Sequence, residues 1–307
     1  MTAEDAPRRP ADRVWRRLPA GARPLLEGAL PASDLRTLLL DVADARARAT
    51  RPADVLAQWR RDRTVRPAAA DPRRLWPLEA RLWDELPAEF DGVEPSPVAP
   101  LAAASALGPV SQQRVVATTR LTEVVSDSTN VLALEAADRR SAGPRGEPVH
   151  LAAIQRQLRA QVFGPGAGAH FRLLVLVSSA RDAGSGRTEA ALLVAQLRAW
   201  QRLLGATAAD RRPRIELTVW DDGAVAERVA DTVLPAVRDD VVPVVEEPAR
   251  ERARGYYAGV ALRIVVDDAS EVGDGGLTTW TAQLLGDRKE RCLVSCVATE
   301  GLLPPDG

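Results

Sequence analysis

The sequence predicts an α+β protein in which long antiparallel strands form a sheet backed on one side by helices. Three observations predict it. Segments of apolar/polar alternation, such as PRIELTVWDD with Ile215, Leu217 and Val219 on one face, read as strands. They are interleaved with segments of helical period, such as RTEAALLVAQLRAWQRLL. The chain has 307 residues, 46% of them apolar, enough for one large packed core and a smaller unit beside it.

In chain order, the first 30 residues are rich in Pro, Arg and Ala and are expected to fray before settling into a short helix. SDLRTLLLDVADARARA then joins a Ser33/Asp34 cap to apolar residues at Leu35, Leu38, Leu39 and Val42, a helical spacing. TRPADVLAQWRRDR follows as a second helix, capped by Thr50 and with Pro52 in its first turn. Residues 1–70 therefore read as an N-terminal helical extension and residues 71–307 as the core. The extension carries 14 arginines against nine acidic residues, in a chain whose net charge is −1. Solvated helix faces account for that balance, and no interleaved aromatic pattern points to stacking on bases.

DPRRLWPLEARLWDELPAEF opens on Asp-Pro and sets Leu78, Leu82 and Leu86 along one helical face; the proline-punctuated GVEPSPVAPL after it is extended. QRVVATTRLTEVV alternates as a strand of the sheet, and the turn from Asp127 to Thr129 caps a helix running through Arg139. The polar loop SAGPRGEP leads into two paired strands. After PRIELTVWDD, AVAERVADTVLPAVRDD is one more helix. It precedes a strand holding Tyr256 and Tyr257, the only tyrosines, whose adjacent side chains would face opposite sides of the sheet.

Cys292 and Cys296 stand four apart on a strand, too far to bridge, and read as core thiols of a reducing compartment. No apolar run approaches the ~20 residues of a membrane helix, and MTAEDAPRRPADR lacks the apolar core of a signal peptide, so a cytoplasmic protein without a membrane partner is expected. His150 and His170 have no ligand spacing with the cysteines, so no metal site is expected. His170 borders a loop containing GPGAG, which lacks the strand-loop-helix setting and lysine of a phosphate cradle.

Four segments, in a fixed order, carry a more specific reading. VVSDSTNVLALEAADRR holds Asp127 and Thr129 at a strand-to-helix turn. PVHLAAIQRQLRAQVFGPGAGAHFRLLVLVSSARD ends one strand in Arg159 and begins the next at Phe171, with Gln161 two positions after the arginine and Ala167 later in the loop. RARGYYAGVALRIVV fits R-x-x-x-Y-Y-x-G through Arg252, Tyr256, Tyr257 and Gly259, although the three arginines of RERAR leave the register open by two. DGGLTTWTAQLLGDRKERCLVSCVATEGLL supplies a glycine pair, Gly275 and Gly276, then Glu300 and Gly301. Over roughly residues 76–303 the chain resembles the catalytic core of class II aminoacyl-tRNA synthetases. Within that class it most resembles the branch of histidyl-tRNA synthetase and its paralogue, the ATP phosphoribosyltransferase regulatory subunit.

The resemblance implies an ATP or adenylate site at Arg159, Gln161, Phe171 and Arg252, and an amino-acid site at Asp127, Thr129, Tyr256 and Tyr257. The cofactor it points to is ATP with Mg. Gln161 stands where the family has an acidic residue, Ala167 where it has Arg or His, and Gly301 where it has the motif 3 arginine. Loss of such a preorganised charge costs about 3 kcal/mol in the transition state, so weak or absent ATP activation is expected. Leu173 and Val177 hold the positions that read histidine in the family and cannot hydrogen-bond an imidazole. Thr278 and Thr279 replace a tyrosine and an aspartate.

The resemblance thus implies a paralogue that binds an amino acid or adenylate-type ligand and serves an enzyme partner as a regulatory or accessory subunit, without charging tRNA. It implies a homodimer built on residues 75–101 and no room after Gly301 for an anticodon-binding domain. Two alternatives stand beside it. One is ATP-dependent adenylation of a small amino or carboxylic acid for a non-tRNA acceptor, with Leu173 and Val177 favouring a small hydrophobic side chain. The other is a non-catalytic dimeric scaffold.

Overall fold

The computed structural model describes residues 10–144, 146–161 and 168–304. The helices are α1 (Pro10–Trp15), α2 (Ala22–Pro24), α3 (Ala32–Arg48), α4 (Pro52–Arg61), α5 (Pro72–Asp84), α6 (Ala103–Leu107), α7 (Ser128–Ala142), α8 (Arg187–Ala208), α9 (Ala224–Arg228), α10 (Leu234–Ala236), α11 (Trp280–Leu285) and α12 (Thr299–Leu302). The strands are β1 (Asp91–Gly92), β2 (Val98–Pro100), β3 (Thr122–Val124), β4 (Val149–Leu158), β5 (His170–Arg181), β6 (Arg214–Val219), β7 (Val244–Glu246), β8 (Val260–Val266), β9 (Ser270–Thr278) and β10 (Glu290–Ala298).

Eight strands make one sheet in the order β1-β4-β5-β10-β9-β8-β6-β7. From β4 to β6 every pairing is antiparallel; only the edge strands β1 and β7 run parallel to their neighbours. The expected antiparallel sheet is therefore present. Helices cover both of its faces, which corrects the one-sided arrangement expected from the sequence. The reason lies in β5, where Leu174 and Leu176 join one core with α8 while Leu173, Val175 and Val177 join another with α7. A strand apolar on both faces must be covered twice.

The first core centres on α8, whose Trp200 is fully buried and donates from Nε1 to Ser295 Oγ at 2.8 Å. Gln196 on the same helix donates to Ser178 Oγ at 2.9 Å and to the Leu293 carbonyl at 3.0 Å, satisfying polar groups that the packing removes from water. The second core sets α7 and α11 against β4, β5 and β10. A bidentate ion pair, Arg140 to Glu290 at 3.0 and 3.1 Å, joins α7 to the start of β10.

Several local expectations change. QRVVATTRLTEVV is a tight hairpin and not a strand of the main sheet: Leu121 adopts φ 57°, the Thr118 and Thr122 hydroxyls bond at 2.7 Å, Ala117 bridges to Glu123, and Thr122–Val124 pairs with β2. The cap positions also shift. Helix α3 begins one residue before Ser33, behind Pro31, and the Thr50 hydroxyl donates back to the Arg46 carbonyl, leaving Arg51 at the cap of α4. The segment after Gly223 is helical but carries a π turn over Val229–Val233 ahead of Pro235. Asp71 and Asp127 cap α5 and α7, accepting from Arg73 N at 2.9 Å and Thr129 N at 3.0 Å. The helices α1 to α4 bury no residue fully.

Candidate functional site

A cavity of about 360 Å³ opens where residues 104–114, through Ala104, Val110 and Arg114, meet four further segments. The turn into α7 brings Ser126, Asp127 and Asn130; the residues after β4 bring Arg159 and Gln161; the loop before β8 brings Arg252, Ala253, Tyr256 and Tyr257; β9 brings Asp274. Six of the eight side chains singled out in the sequence line this cavity. Thr129 and Phe171 do not.

Asp127 is committed locally. Its Oδ1 accepts from the Thr129 backbone at 3.0 Å and from the Thr129 hydroxyl at 2.6 Å, which uses up the Thr129 side chain as part of the helix cap. Its Oδ2 faces Arg159 Nη2 at 3.4 Å. Arg159 also donates from Nε to the Ser126 carbonyl at 2.8 Å, and its guanidinium lies 5.1 Å over the Phe171 ring. Phe171 thus touches the arginine while lining a second cavity of about 820 Å³, bounded by residues 66–70, His170, Glu300 and Gly301. The Arg63 guanidinium donates to the Ala160 and Gln161 carbonyls and holds this connector against the loop after β4. Ala167 lies outside the described residues.

The two tyrosines sit on a turn before β8 and not on a strand, which corrects the expectation that they face apart. The Ala253 carbonyl, on a residue with φ 68°, accepts from both of their backbone amides at 3.0 and 3.2 Å. Both rings reach the cavity, edge to face at 4.9 Å. Burial, then the charges of Asp127 and Asp274, raises the Tyr256 hydroxyl far above the ordinary phenol range. Burial acts first on Tyr257 too, in the same direction. Neither ionises at physiological pH.

Leu173 and Val177 are buried in the core on β5 and are not walls of either cavity, so they set no side-chain preference there. Arg252 is exposed and meets Glu271 at 3.3 Å. At the C-terminal end Glu300 pairs with Arg156 at 3.3 Å, and burial raises its carboxyl. Gly301 supplies no cation, and a Cβ there would meet Val272 Cγ1 at 3.1 Å. Arg156 donates to His170 Nδ1 at 3.0 Å, so Nε2 carries the proton and donates to the Arg66 carbonyl at 2.6 Å; His170 is a structural clasp. No metal-holding group of His, Cys, Asp or Glu occurs among the described residues.

Of the polar lining residues that no sequence motif singled out, Arg114, Ser126, Asn130 and Asp274, the last two stand out. Asp274 stands between Gly273 and Gly275, which looks like turn composition; its place opposite Cys296 on β10 depends on sheet register. Its carboxylate has the Cys296 thiol as a partner at 3.8 Å, and burial, followed by the charges of Asp127 and Glu271, raises its pKa. Asn130 is 2% exposed, and its Nδ2 has no partner among the described residues. A signal for Asn130 existed, since it lies one position beyond Thr129 on the capped turn.

The fold is that of the class II aminoacyl-tRNA synthetase catalytic core. No protein-family model and no curated protein matches the sequence. Among solved structures, the histidyl-tRNA synthetase of Nostoc sp. PCC 7120 aligns with a TM-score of 0.59 at 12% identity, over 78% of this chain and 73% of that one. An ATP phosphoribosyltransferase regulatory subunit/histidyl-tRNA synthetase from Bacillus halodurans aligns at 0.55 and 11%, over 74% and 78%. The pyrrolysyl-tRNA synthetase of Desulfitobacterium hafniense aligns at 0.51 and 16%, over 82% and 73%.

Proposed function

We propose that this protein binds an amino acid or adenylate-type ligand in the Asp127–Arg159–Tyr256 cavity and acts as a regulatory or accessory subunit of an enzyme, without charging tRNA. The observation that carries the reading is the convergence of Asp127, Arg159, Gln161, Arg252, Tyr256 and Tyr257, from three distant segments, on one concave site. Arg159 beside Phe171 suits one phosphate and an aromatic base. Gly301 itself carries no charge for the outer phosphates of ATP, and the neighbouring Arg211 is spent on the Gly301 carbonyl and on Asp267, so an adenylate with a single phosphate fits better than ATP with Mg. A solved relative whose name includes a regulatory subunit supports the accessory role.

Residues 1–70 serve as a helical extension to the core of residues 71–307. The protein pairs as a homodimer through residues 75–101, where Trp76 is 67% exposed. It works in the cytoplasm, a reading supported by the free Cys292 and Cys296. The test is thermal stabilisation by each proteinogenic amino acid and by acyl-sulfamoyl adenosines, run beside amino-acid-dependent pyrophosphate exchange. Stabilisation without exchange is expected. Robust exchange would favour an adenylating enzyme, and no stabilisation by any compound would leave the scaffold reading.

A further inference from the structure

We propose that Asp274, and not Asp127, receives the ammonium group of the ligand, and that Asn130 donates to the same ligand's carbonyl or carboxylate. The site then takes a primary amine that carries an acceptor group close by. This rests on the ligand-binding reading above and names the residues that decide it.

The Asp127 carboxylate already has two Thr129 donors on one oxygen and Arg159 on the other. Asp274 opens onto the same cavity and has no ion pair among the described residues; its partner is a thiol at 3.8 Å. Burial, then the charges of Asp127 and Glu271, raise the Asp274 carboxyl, and Arg250, whose buried guanidinium has no hydrogen-bond partner among the described residues, opposes them in part. A carboxylate held out of water in this way is completed by a cation that brings its own donors.

The walls fit that cation. Asp274 and Gly276 share one face of β9, and a Cβ at Gly276 would lie 2.5 Å from Tyr257 Cγ, so the Tyr257 ring rests beside Asp274. With Tyr256 packed edge-on against it, the ammonium meets aromatic surface as well as charge. Asn130 adds a buried amide donor with no partner, on the wall formed by α7. An acceptor group on the ligand satisfies it.

The experiment is a thermal-shift and calorimetric panel of free amino acids against their N-acetyl derivatives, on the wild type and on Asp274→Asn, Asp127→Asn and Asn130→Ala. Asparagine at position 127 keeps the helix cap. We expect at least one free amino acid, and none of the N-acetyl forms, to stabilise the wild type. Asp274→Asn should weaken it by about tenfold or more, Asn130→Ala by about threefold or more, and Asp127→Asn by less than either. Asp274→Gly is the second variant if the amide lowers the unliganded midpoint. Loss of binding in Asp127→Asn with retention in Asp274→Asn, or equal binding of N-acetyl forms, would overturn this proposal while leaving the ligand-binding function standing. Failure of every amino acid and acyl-sulfamoyl adenosine on the wild type would sink both.

Discussion

Arg159 connects three features of the site: the Ser126 carbonyl at 2.8 Å, the Asp127 carboxylate at 3.4 Å and the Phe171 ring at 5.1 Å. A guanidinium oriented on three sides is preorganised for an incoming anion, because little side-chain entropy remains to be lost. Arg159→Ala should weaken binding of an acyl-sulfamoyl adenosine by about 1.5–3 kcal/mol, read by titration calorimetry. Unchanged affinity would place the anion elsewhere. Cys296, by contrast, is held as a thiol. Burial first and the Asp274 charge next push its thiol well above the ordinary range, away from the thiolate.

At the scale of elements, β9 explains why glycine recurs beside the site. Side chains at Gly273 and Gly275 would overlap the Cys296 and Val294 carbonyls, and one at Gly276 would strike Tyr257 Cγ and the Val260 carbonyl, both at 2.5 Å. The glycines keep β9 close to its neighbours and leave room for the tyrosine ring. Gly276→Ala should therefore destabilise the fold by about 1–3 kcal/mol, seen as a lower urea midpoint, since neither a sheet carbonyl nor a packed ring can yield cheaply. A neutral substitution would mean that the turn holding Tyr257 adapts. The same segment shows what is legible from sequence: the glycine pair is visible as a motif, while no local pattern marks Asp274 beside it.

For the whole molecule, two measurements probe how the parts combine. The exposed Trp76, with Trp83, Val98 and Leu101 also exposed, offers an apolar face on the segment proposed for dimerisation. Light scattering should give twice the 33.0 kDa chain mass at micromolar concentration, and Trp76→Glu should return it to one. A monomeric wild type would remove the dimer and leave the cavity intact. The second measurement is pH. Burial beside Phe90 lowers the His150 pKa below its usual 6.5, opposed in part by Glu89. The unfolded chain then takes up a proton before the folded one does. Stability contributed by neutral His150 is complete above pH 6.5 and is lost as pH falls through the depressed folded value. Asp274 and Glu300, with raised folded pKa values, act with the opposite sign in mildly acid solution. The informative quantity is the difference between wild type and His150→Gln. Wild type should lose more stability than the variant below pH 6.5 in urea titrations, and parallel profiles would rule out His150 as the source.

The sequence by itself determined the α+β class, the helices α5, α7 and α8, the strands β4, β5 and β6, the capped turn at Asp127 and the spacing of Arg159 to Phe171. These depend on local periodicity, capping and motif spacing, which are properties of neighbouring residues. Only the tertiary structure decided that helices cover both faces of the sheet, that Thr129 is spent on the cap, and that both tyrosines share one turn. It also decided that Asp274 and Asn130 enter the cavity. The physical reason is register: which strand lies beside β9, and which helix ends over it, follows from burying two apolar faces at once. That constraint acts between residues as far apart as Asn130 and Asp274, and no local pattern encodes it.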